Sequence, residues 1–287
     1  MEPLYLNDAD IQNLVSPKEC AEVIEDLFQQ EARGDAEQTP TVELHLPKRG
    51  PFRVKVGGVY GANAYGLKAY LGSAGYRVFV YDLDEGFLGL VEAFKLTEVR
   101  TGAVSAVATK HMSRPDAANL GIIGTGREAR AQLRALAGVR PLKAVKAYSR
   151  SVENREAYAA EMGKELGITV TPVATAKEAL QGADILVTMT SANEPVLDGA
   201  DLEPGTLVCC VGATGARRRE LDDAAVQRAQ AVVVEHLPLA ELECGELIHA
   251  AGNGLFDWSR VSEIKDVVGG KVKVDTGAIN LFTSIGT

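Results

Sequence analysis

Closely spaced glycines at the end of an apolar run are the first residues of this 287-residue chain whose types and spacing could do chemistry. The run LGIIG (120–124) leads into GTGREA (124–129), where Gly124 permits a tight turn and Gly126 lets the backbone approach a pyrophosphate. Ala129 keeps the next helix close to its sheet, and the N-terminus of that helix offers free N–H groups to phosphates. Because a strand precedes the glycines and an amphipathic helix follows them, the pattern predicts a dinucleotide site rather than a structural turn.

The residues roughly twenty positions after the glycines indicate which dinucleotide would bind. An Asp or Glu there would hold the ribose hydroxyls of NAD, whereas this chain has Ser149, Arg150 and Ser151. A guanidinium and hydroxyls would bind a 2′-phosphate that a carboxylate would repel. We therefore expect a preference for NADP(H), with NAD(H) as the alternative cofactor and a solvated loop as the alternative role of Arg150.

The elements that must position these residues fall into two modules. From about residue 118 onward, short apolar runs alternate with amphipathic stretches, a pattern typical of a parallel sheet covered on both faces. The predicted strands are LGIIG (120–124), KAVKAY (143–148), ITVTPV (168–173), ADILVTMT (183–190), TLVCCVG (206–212) and AVVVE (231–235). Residues 113–269 are predicted to form a doubly wound α/β (Rossmann) dinucleotide-binding domain.

Residues 1–112 have the pattern of a separate α+β module. A helix is predicted to begin after the Ser16 cap and to end at Gly34, and a second helix to cover FKLTEVRTGAVSAVATKHMS (94–113). Between them lie strand-like pieces, and the acidic turn in YDLDEG joins two apolar runs as in a hairpin. The tail is also strand-like, and residues 270–287 are expected to return to this module.

Composition argues against several classes of protein. Apolar residues make up 46% and charged residues 24% of the chain, and the net charge of −9 argues against a nucleic-acid surface. No run approaches the ~18 apolar residues of a membrane span, and the acidic N-terminus does not have the pattern of a secretion signal. The cysteines and histidines show no metal-ligand spacing. We expect buried free thiols, no metal and a cytoplasmic location.

Three motifs occur in order along the chain: RTGAVSAVATKH (100–111), GIIGTGREARAQ (121–132) and VTMTSANEPVLDG (187–199). Together with the order of the two modules, they resemble the ornithine cyclodeaminase/μ-crystallin family over nearly the whole chain. The resemblance implies NAD(P)-dependent hydride transfer at a carbon bonded to nitrogen, in small substrates that carry a carboxylate. It also implies that the first module binds the substrate and forms a homodimer.

The same resemblance supplies candidate catalytic residues. Lys68 in YGLKAYLG and Arg100 match the family's cations at the substrate carboxylate, although each alone would be interpreted as a surface residue. Thr214 stands where cyclodeaminases place an aspartate, and a neutral hydroxyl suits reduction better than loss of ammonia. Arg53 is a candidate substrate ligand, because 41–43 lack the arginine that many relatives carry. The remaining candidates for cofactor binding are Thr101, Thr125, Arg127, Glu128, Thr188, Thr190, Ser191, Val211 and Gly212.

Three functions stay open at this point. The first is reduction of a small imino acid or cyclic ketimine, reversible as an amino-acid dehydrogenase. The second is a lyase that releases ammonia from ornithine with NAD as catalytic cofactor, and the third is a non-enzymatic NADPH-binding protein. Family members usually continue beyond a segment like TSIGT (283–287) into another helix, so the sequence either is truncated there or dispenses with that helix. The cluster Arg217–Arg219 is interpreted as a solvated helix start.

Overall fold

The computed structural model describes residues 2–72 and 75–286, which form two sheets with helices between and around them. The elements of the first module are β1 (Leu4–Leu6), α1 (Asp8–Leu14), α2 (Pro17–Arg33), β2 (Ala36–Gln38), β3 (Val42–Leu46), β4 (Gly50–Val59), β5 (Ala64–Leu71), β6 (Gly75–Asp82), β7 (Gly86–Glu92) and α3 (Phe94–Met112). Those of the second are β8 (Asn119–Ile123), α4 (Arg127–Ala137), β9 (Ala144–Tyr148), α5 (Val152–Leu166), β10 (Thr169–Pro172), α6 (Ala176–Leu180), β11 (Ile185–Thr188), β12 (Leu207–Cys210), α7 (Asp223–Arg228), β13 (Ala231–Val234), α8 (Leu237–Glu243), α9 (Gly245–Gly252), β14 (Val261–Glu263), α10 (Ile264–Val268) and β15 (Asn280–Thr283).

The first sheet has the order β1-β7-β6-β5-β4-β2, with β3 also paired to β4. Its predicted hairpin is confirmed, since β6 and β7 pair antiparallel around a turn that ends at Gly86 with a φ of 79°. The strand β1 pairs parallel to β7 and has only 3 residues, too few for a recognisable period, so the sequence did not predict it. One face of this sheet is turned toward the second module.

The helix α2 begins and ends where the sequence predicts. The Ser16 hydroxyl accepts the backbone N–H of Glu19, and the Glu19 carboxylate accepts the backbone N–H of Ser16, which closes a capping box. The helix ends at Gly34, whose φ of 82° lies in the left-handed region that favours glycine. The predicted second helix is confirmed as α3.

The second sheet is parallel throughout, in the order β10-β9-β8-β11-β12-β15-β13-β14. Successive side chains of β12 alternate between two apolar clusters: Leu207 and Cys209 pack on the α4–α5 side, and Val208 and Cys210 on the side of α6, α7 and α9. Helices therefore cover both faces, which explains the nearly continuous apolar strands and confirms the doubly wound α/β class. All six strands predicted for this module are present.

The predicted place of the C-terminal tail is wrong. Instead of joining the first module, β15 lies between β12 and β13 and pairs parallel to both. Its residues are fully buried, and a short apolar strand fits a covered parallel sheet better than the half-exposed first one. Parts of the tail contact the first module: the Lys271 ammonium donates to the Ala32 carbonyl, and the Lys55 ammonium donates to the Gly286 carbonyl.

The helix α3 joins the two modules. Near its start, Phe94 contacts the Tyr76 ring of the first sheet, whereas Val107 and Met112 belong to the core cluster of the second. Gly102 allows α3 to approach α4 closely, because a Cβ there would lie 2.6 Å from the Ala131 carbonyl oxygen. The domain boundary between residues 112 and 113 stays a prediction, because α3 packs against both modules.

Two expectations about composition can be compared with the described residues. The four cysteines are free and buried, as expected for a structural role. Within 2–72 and 75–286, no helix is both long and apolar enough to cross a membrane.

Candidate active site

The glycine turn opens a groove of about 630 Å³ at the carboxyl edge of the second sheet. Gly124 has a φ of 104°, and a Cβ there would lie 2.1 Å from the Met189 carbonyl oxygen, so only glycine fits. At Gly126 a Cβ would meet no atom within 4 Å and would project into open space beside the start of α4. No side chain caps that helix, so its first N–H groups are free for a phosphate. The turn fits a dinucleotide.

The predicted Ser149–Ser151 segment lines the same groove. The Thr125 hydroxyl donates to the Ser149 hydroxyl oxygen over 2.8 Å, which ties the glycine turn to the end of β9. The Ser151 side chain caps α5 by accepting the backbone N–H of Asn154. Arg150 is exposed and makes no hydrogen bond or ion pair with any described residue, so its guanidinium is available to a ligand.

A second cleft of about 490 Å³ continues from this groove and shares Gly126, Met189, Thr190 and Ser191 with it. It lies between the carboxyl edge of the second sheet, where open α/β sheets bind ligands, and the inner face of the first sheet. The predicted site residues that line it are Arg53, Lys68, Arg100, Thr101, Gly126, Arg127, Glu128, Thr190, Ser191, Val211, Gly212 and Thr214.

Lys68 lies in β5 with its ammonium turned into this cleft. The ammonium donates to the Thr97 hydroxyl over 2.9 Å and lies 5.1 Å and 5.0 Å from the ring centroids of Tyr70 and Tyr76. Burial, together with the nearby charges of Arg100 and Lys55, lowers the pKa of Lys68 to about 6. An anion placed here would restore the ammonium, so the site is suited to a carboxylate.

Lys55 and Arg100 extend the positive region. Lys55 is the cross-strand neighbour of Lys68, and burial together with the Arg100 charge lowers the pKa of Lys55 to about 8. Gly286 lines the cleft beside them. Its segment is held from the second module, because the buried Glu235 carboxylate accepts the Ser284 hydroxyl and the Ile285 N–H, each over 2.9 Å.

Arg53 reaches the cleft, but its charge is already shared. Its guanidinium makes an ion pair of 2.8 Å with Glu43, the residue directly opposite on β3. This pair accounts for the acidic residue at a position where many relatives carry an arginine. Substrate binding by Arg53 stays a prediction.

Two predicted cofactor residues do not line either cleft. Thr188 is fully buried and donates its hydroxyl to the Glu220 carboxylate over 3.0 Å. Ala129 is a buried residue of α4, and its small side chain fits its expected role in bringing this helix close to the sheet. Arg127 does line the second cleft, but its guanidinium pairs with Glu98 over 2.6 Å and lies 4.2 Å from the Phe94 ring centroid.

The interpretation of Arg217–Arg219 as a solvated helix start is wrong. The segment forms a turn instead of a helix. Arg218 lines the second cleft, and its guanidinium donates to the Thr190 carbonyl over 3.2 Å. Thr214 and Glu243 lie in the same cleft. Tyr70, Tyr76 and Glu243 also line this cleft and were not predicted; the sequence signal for the tyrosines was their proximity to Lys68.

No group of three or more His, Cys, Asp or Glu side chains in the described part of the chain could hold a metal ion. Side chains and the start of α4 supply charge to the two clefts. One cleft offers N–H groups and an exposed arginine to a dinucleotide, and the other offers buried cations to a small anion.

Comparison with known proteins identifies the family of this chain. The sequence profile of the ornithine cyclodeaminase/mu-crystallin family matches residues 1–287. A Δ1-pyrroline-2-carboxylate reductase of Bacillus cereus is 36% identical over 202 residues, which are 69% of this chain and 62% of that protein.

Solved structures are similar over almost the whole chain. The Δ1-pyrroline-2-carboxylate reductase of Thermococcus litoralis in complex with NADH and L-proline superposes with a TM-score of 0.93 at 31% identity, covering 98% of this chain and 92% of that one. The iminosuccinate reductase of Paracoccus denitrificans in complex with NAD+ has a TM-score of 0.92 at 27% identity, covering 99% and 91%.

Proposed function

The chain belongs to the ornithine cyclodeaminase/mu-crystallin family, and we propose that it is an NAD(P)H-dependent reductase that converts a small imino acid or cyclic ketimine carboxylate to an amino acid. The observation that carries this proposal is the continuity of the two clefts, which share Gly126 and Thr190. A dinucleotide extending from one cleft into the other would end beside the buried cations Lys68 and Arg100.

Each part of the substrate cleft has a task in this reaction. When bound, the reduced dinucleotide supplies a hydride to the carbon of the C=N bond. Lys68 and Arg100 would hold the substrate carboxylate, which fixes the orientation of that carbon. The nitrogen must gain a proton, and we assign the hydroxyl of Thr214, which lines this cleft, to orient the water that would deliver it. Because Thr214 is neutral, reduction is favoured over the loss of ammonia.

The direct test is the absorbance of reduced nicotinamide in the presence of candidate substrates. Purified protein would receive NADPH or NADH with Δ1-pyrroline-2-carboxylate, Δ1-piperideine-2-carboxylate, or pyruvate with ammonia or methylamine. We expect oxidation of the dinucleotide with at least one cyclic imine. Dinucleotide binding without oxidation would contradict the reductase function, and release of ammonia from ornithine would then support a lyase.

The finer assignment we propose for the cofactor is a preference for NADP(H). Arg150 is exposed at the end of β9, and the start of α5 beside it adds a partial positive charge. We expect Arg150→Asp to lower the ratio of kcat/KM with NADPH to kcat/KM with NADH by about 10- to 100-fold, because a charged hydrogen-bond partner of the 2′-phosphate is lost. An equal change with both dinucleotides would contradict the preference. Lys143→Asp, which changes an exposed cation at the opposite end of β9, is the control.

We also propose that the first module forms a homodimer in the cytoplasm. The face of its sheet opposite to Lys68 exposes large apolar side chains on successive strands, among them Val42, Leu44 and Phe87. A continuous exposed apolar face of this kind marks a protein interface. Buried free thiols fit a reducing compartment.

A further inference from the structure

Glu220 is a fully buried carboxylate between the ends of two neighbouring strands. One of its oxygens accepts the backbone N–H of Thr190 over 2.5 Å, directly after β11. The other accepts the backbone N–H of Gly212 over 2.7 Å, directly after β12, and the hydroxyl of Thr188 over 3.0 Å. Both oxygens are therefore used to join the segments that leave the sheet at its carboxyl edge.

The approach of this carboxylate requires a glycine at 212. A Cβ on Gly212 would lie 2.6 Å from a Glu220 carboxylate oxygen and 2.4 Å from the Thr190 nitrogen. Contacts this short do not occur at real Cβ atoms, so the glycine and the carboxylate depend on each other. Gly212 thus makes room for the Glu220 carboxylate and also lines the open cleft.

A second carboxylate holds Glu220 in place. Glu246, also buried, accepts the backbone N–H of Glu220 over 2.9 Å and the Cys210 thiol over 3.2 Å. It belongs to α9, whose first residue, Gly245, packs so closely on Arg218 that a Cβ would lie 1.9 Å from the Arg218 carbonyl oxygen. Buried carboxylates therefore hold both ends of the segment that carries Thr214 and Arg218: Glu220 binds the N–H of Gly212, and Glu246 binds the N–H of Glu220.

The joined segments line the site. Thr190 lies in both clefts, and Gly212 lies in the substrate cleft beside Gly126. We propose that Glu220 is a positioning residue that holds the carboxyl ends of β11 and β12 in the geometry that receives the nicotinamide end of the dinucleotide. This inference rests on the proposed function only in the identity of the ligand.

Replacing Glu220 by glutamine distinguishes the effect of its hydrogen bonds from the effect of its size. Glu220→Gln keeps the size of the side chain but replaces one accepting oxygen by an NH2 group, which would face the N–H of Thr190 or Gly212. We expect the Kd for NADPH, followed by its fluorescence, to rise about tenfold, because one backbone N–H loses its partner. The KM for the imine is expected to change less than the KM for NADPH.

Asp184→Asn is the matched control. Asp184 stands at the opposite edge of the same sheet, where one carboxylate oxygen accepts the N–H groups of Ala118 and Asn119 over 2.8 Å and 2.9 Å. This variant is expected to lower the midpoint of thermal unfolding without changing the Kd for NADPH. If Glu220→Gln does no more than that, Glu220 has a merely structural role and the proposal is wrong.

A milder variant keeps the test decisive if Glu220→Gln does not fold. Thr188→Val removes one donor to Glu220 and is expected to raise the Kd for NADPH about threefold; an unchanged Kd in the folded variant would overturn the proposal. The binding readout is independent of turnover. A wild-type protein that binds NADPH but reduces no imine would contradict the proposed reaction alone, whereas one that binds neither NADPH nor NADH would overturn the role of Glu220 as well.

Discussion

The two sheets of this protein contribute different chemistry to one site. Strands of the second sheet such as β11 and β12 are buried throughout, and the segments that follow their carboxyl ends line the cleft with small side chains. Strands of the first sheet are half-buried, and they present the cations Lys55 and Lys68 on one face and large apolar side chains on the other. We therefore propose that the covered sheet sets the geometry of the cofactor site and that the open sheet supplies the charge that binds the substrate.

This difference has an electrostatic reason. A buried lysine is neutralised unless an anion accompanies it, and in the cleft that anion would be the substrate. In the second sheet the buried charges are carboxylates, and backbone N–H groups satisfy them: Glu220 and Glu235 hold segments rather than ligands. The first arrangement is incomplete until a ligand binds, whereas the second is complete without one.

The largest expected effect is a pH dependence of substrate affinity. Burial and the nearby cations lower the pKa of Lys68 to about 6, so above that pH the neutral amine must gain a proton before it can pair with a carboxylate. The KM for the imine should therefore rise with pH, by up to about tenfold per unit between pH 6 and 8. Initial rates with saturating NADPH at each pH would measure this.

Lys68→Arg is the control for this pH dependence, because a guanidinium stays charged throughout that range. Titration of the imine itself is common to both proteins and cancels in their comparison. Identical pH profiles for wild type and Lys68→Arg would show that Lys68 is not the titrating group.

A smaller effect is expected on assembly. Phe87, 39% exposed on the outer face of the first sheet, packs against Tyr81, whose ring centroid is 5.1 Å away. Phe87→Glu would place a charge in the proposed dimer interface and raise the dissociation constant of the dimer at least about tenfold, as measured by sedimentation. Leu255→Glu changes an equally exposed residue of the second module, at 40%, and should leave the dimer intact. Equal effects of the two substitutions, or a wild-type monomer, would contradict the assignment of this face.

The covered sheet was the more predictable of the two. Its strands are continuous apolar runs, and the glycine turn has a spacing that local backbone geometry dictates, so Gly124 and Gly126 could be placed from the sequence. The first sheet has weaker periodicity because neither of its faces is fully covered within one chain. There, Lys68 and Arg100 were identified by resemblance to a family rather than by pattern.

Long-range hydrogen bonds account for what the sequence did not predict. Glu220 contacts Thr188, 32 positions earlier, and nothing in RRREL distinguishes it from a surface glutamate. The tail strand β15 was assigned to the wrong sheet for the same reason, since the pattern of a four-residue strand does not specify its partners. Thr188 was predicted to bind the cofactor through the resemblance of its motif to the family, but its hydroxyl donates to Glu220.

The division of the site between the two sheets is tested most directly by Lys68→Met, with NADPH binding and imine reduction measured on the same sample. Methionine fills the space of the lysine stem between Tyr70 and Tyr76 without its charge. We expect the Kd for NADPH to stay within about twofold of wild type and kcat/KM for the imine to fall about 100-fold, the loss of a charged hydrogen-bond partner. A parallel loss of NADPH affinity and imine reduction, or undiminished reduction, would contradict the account.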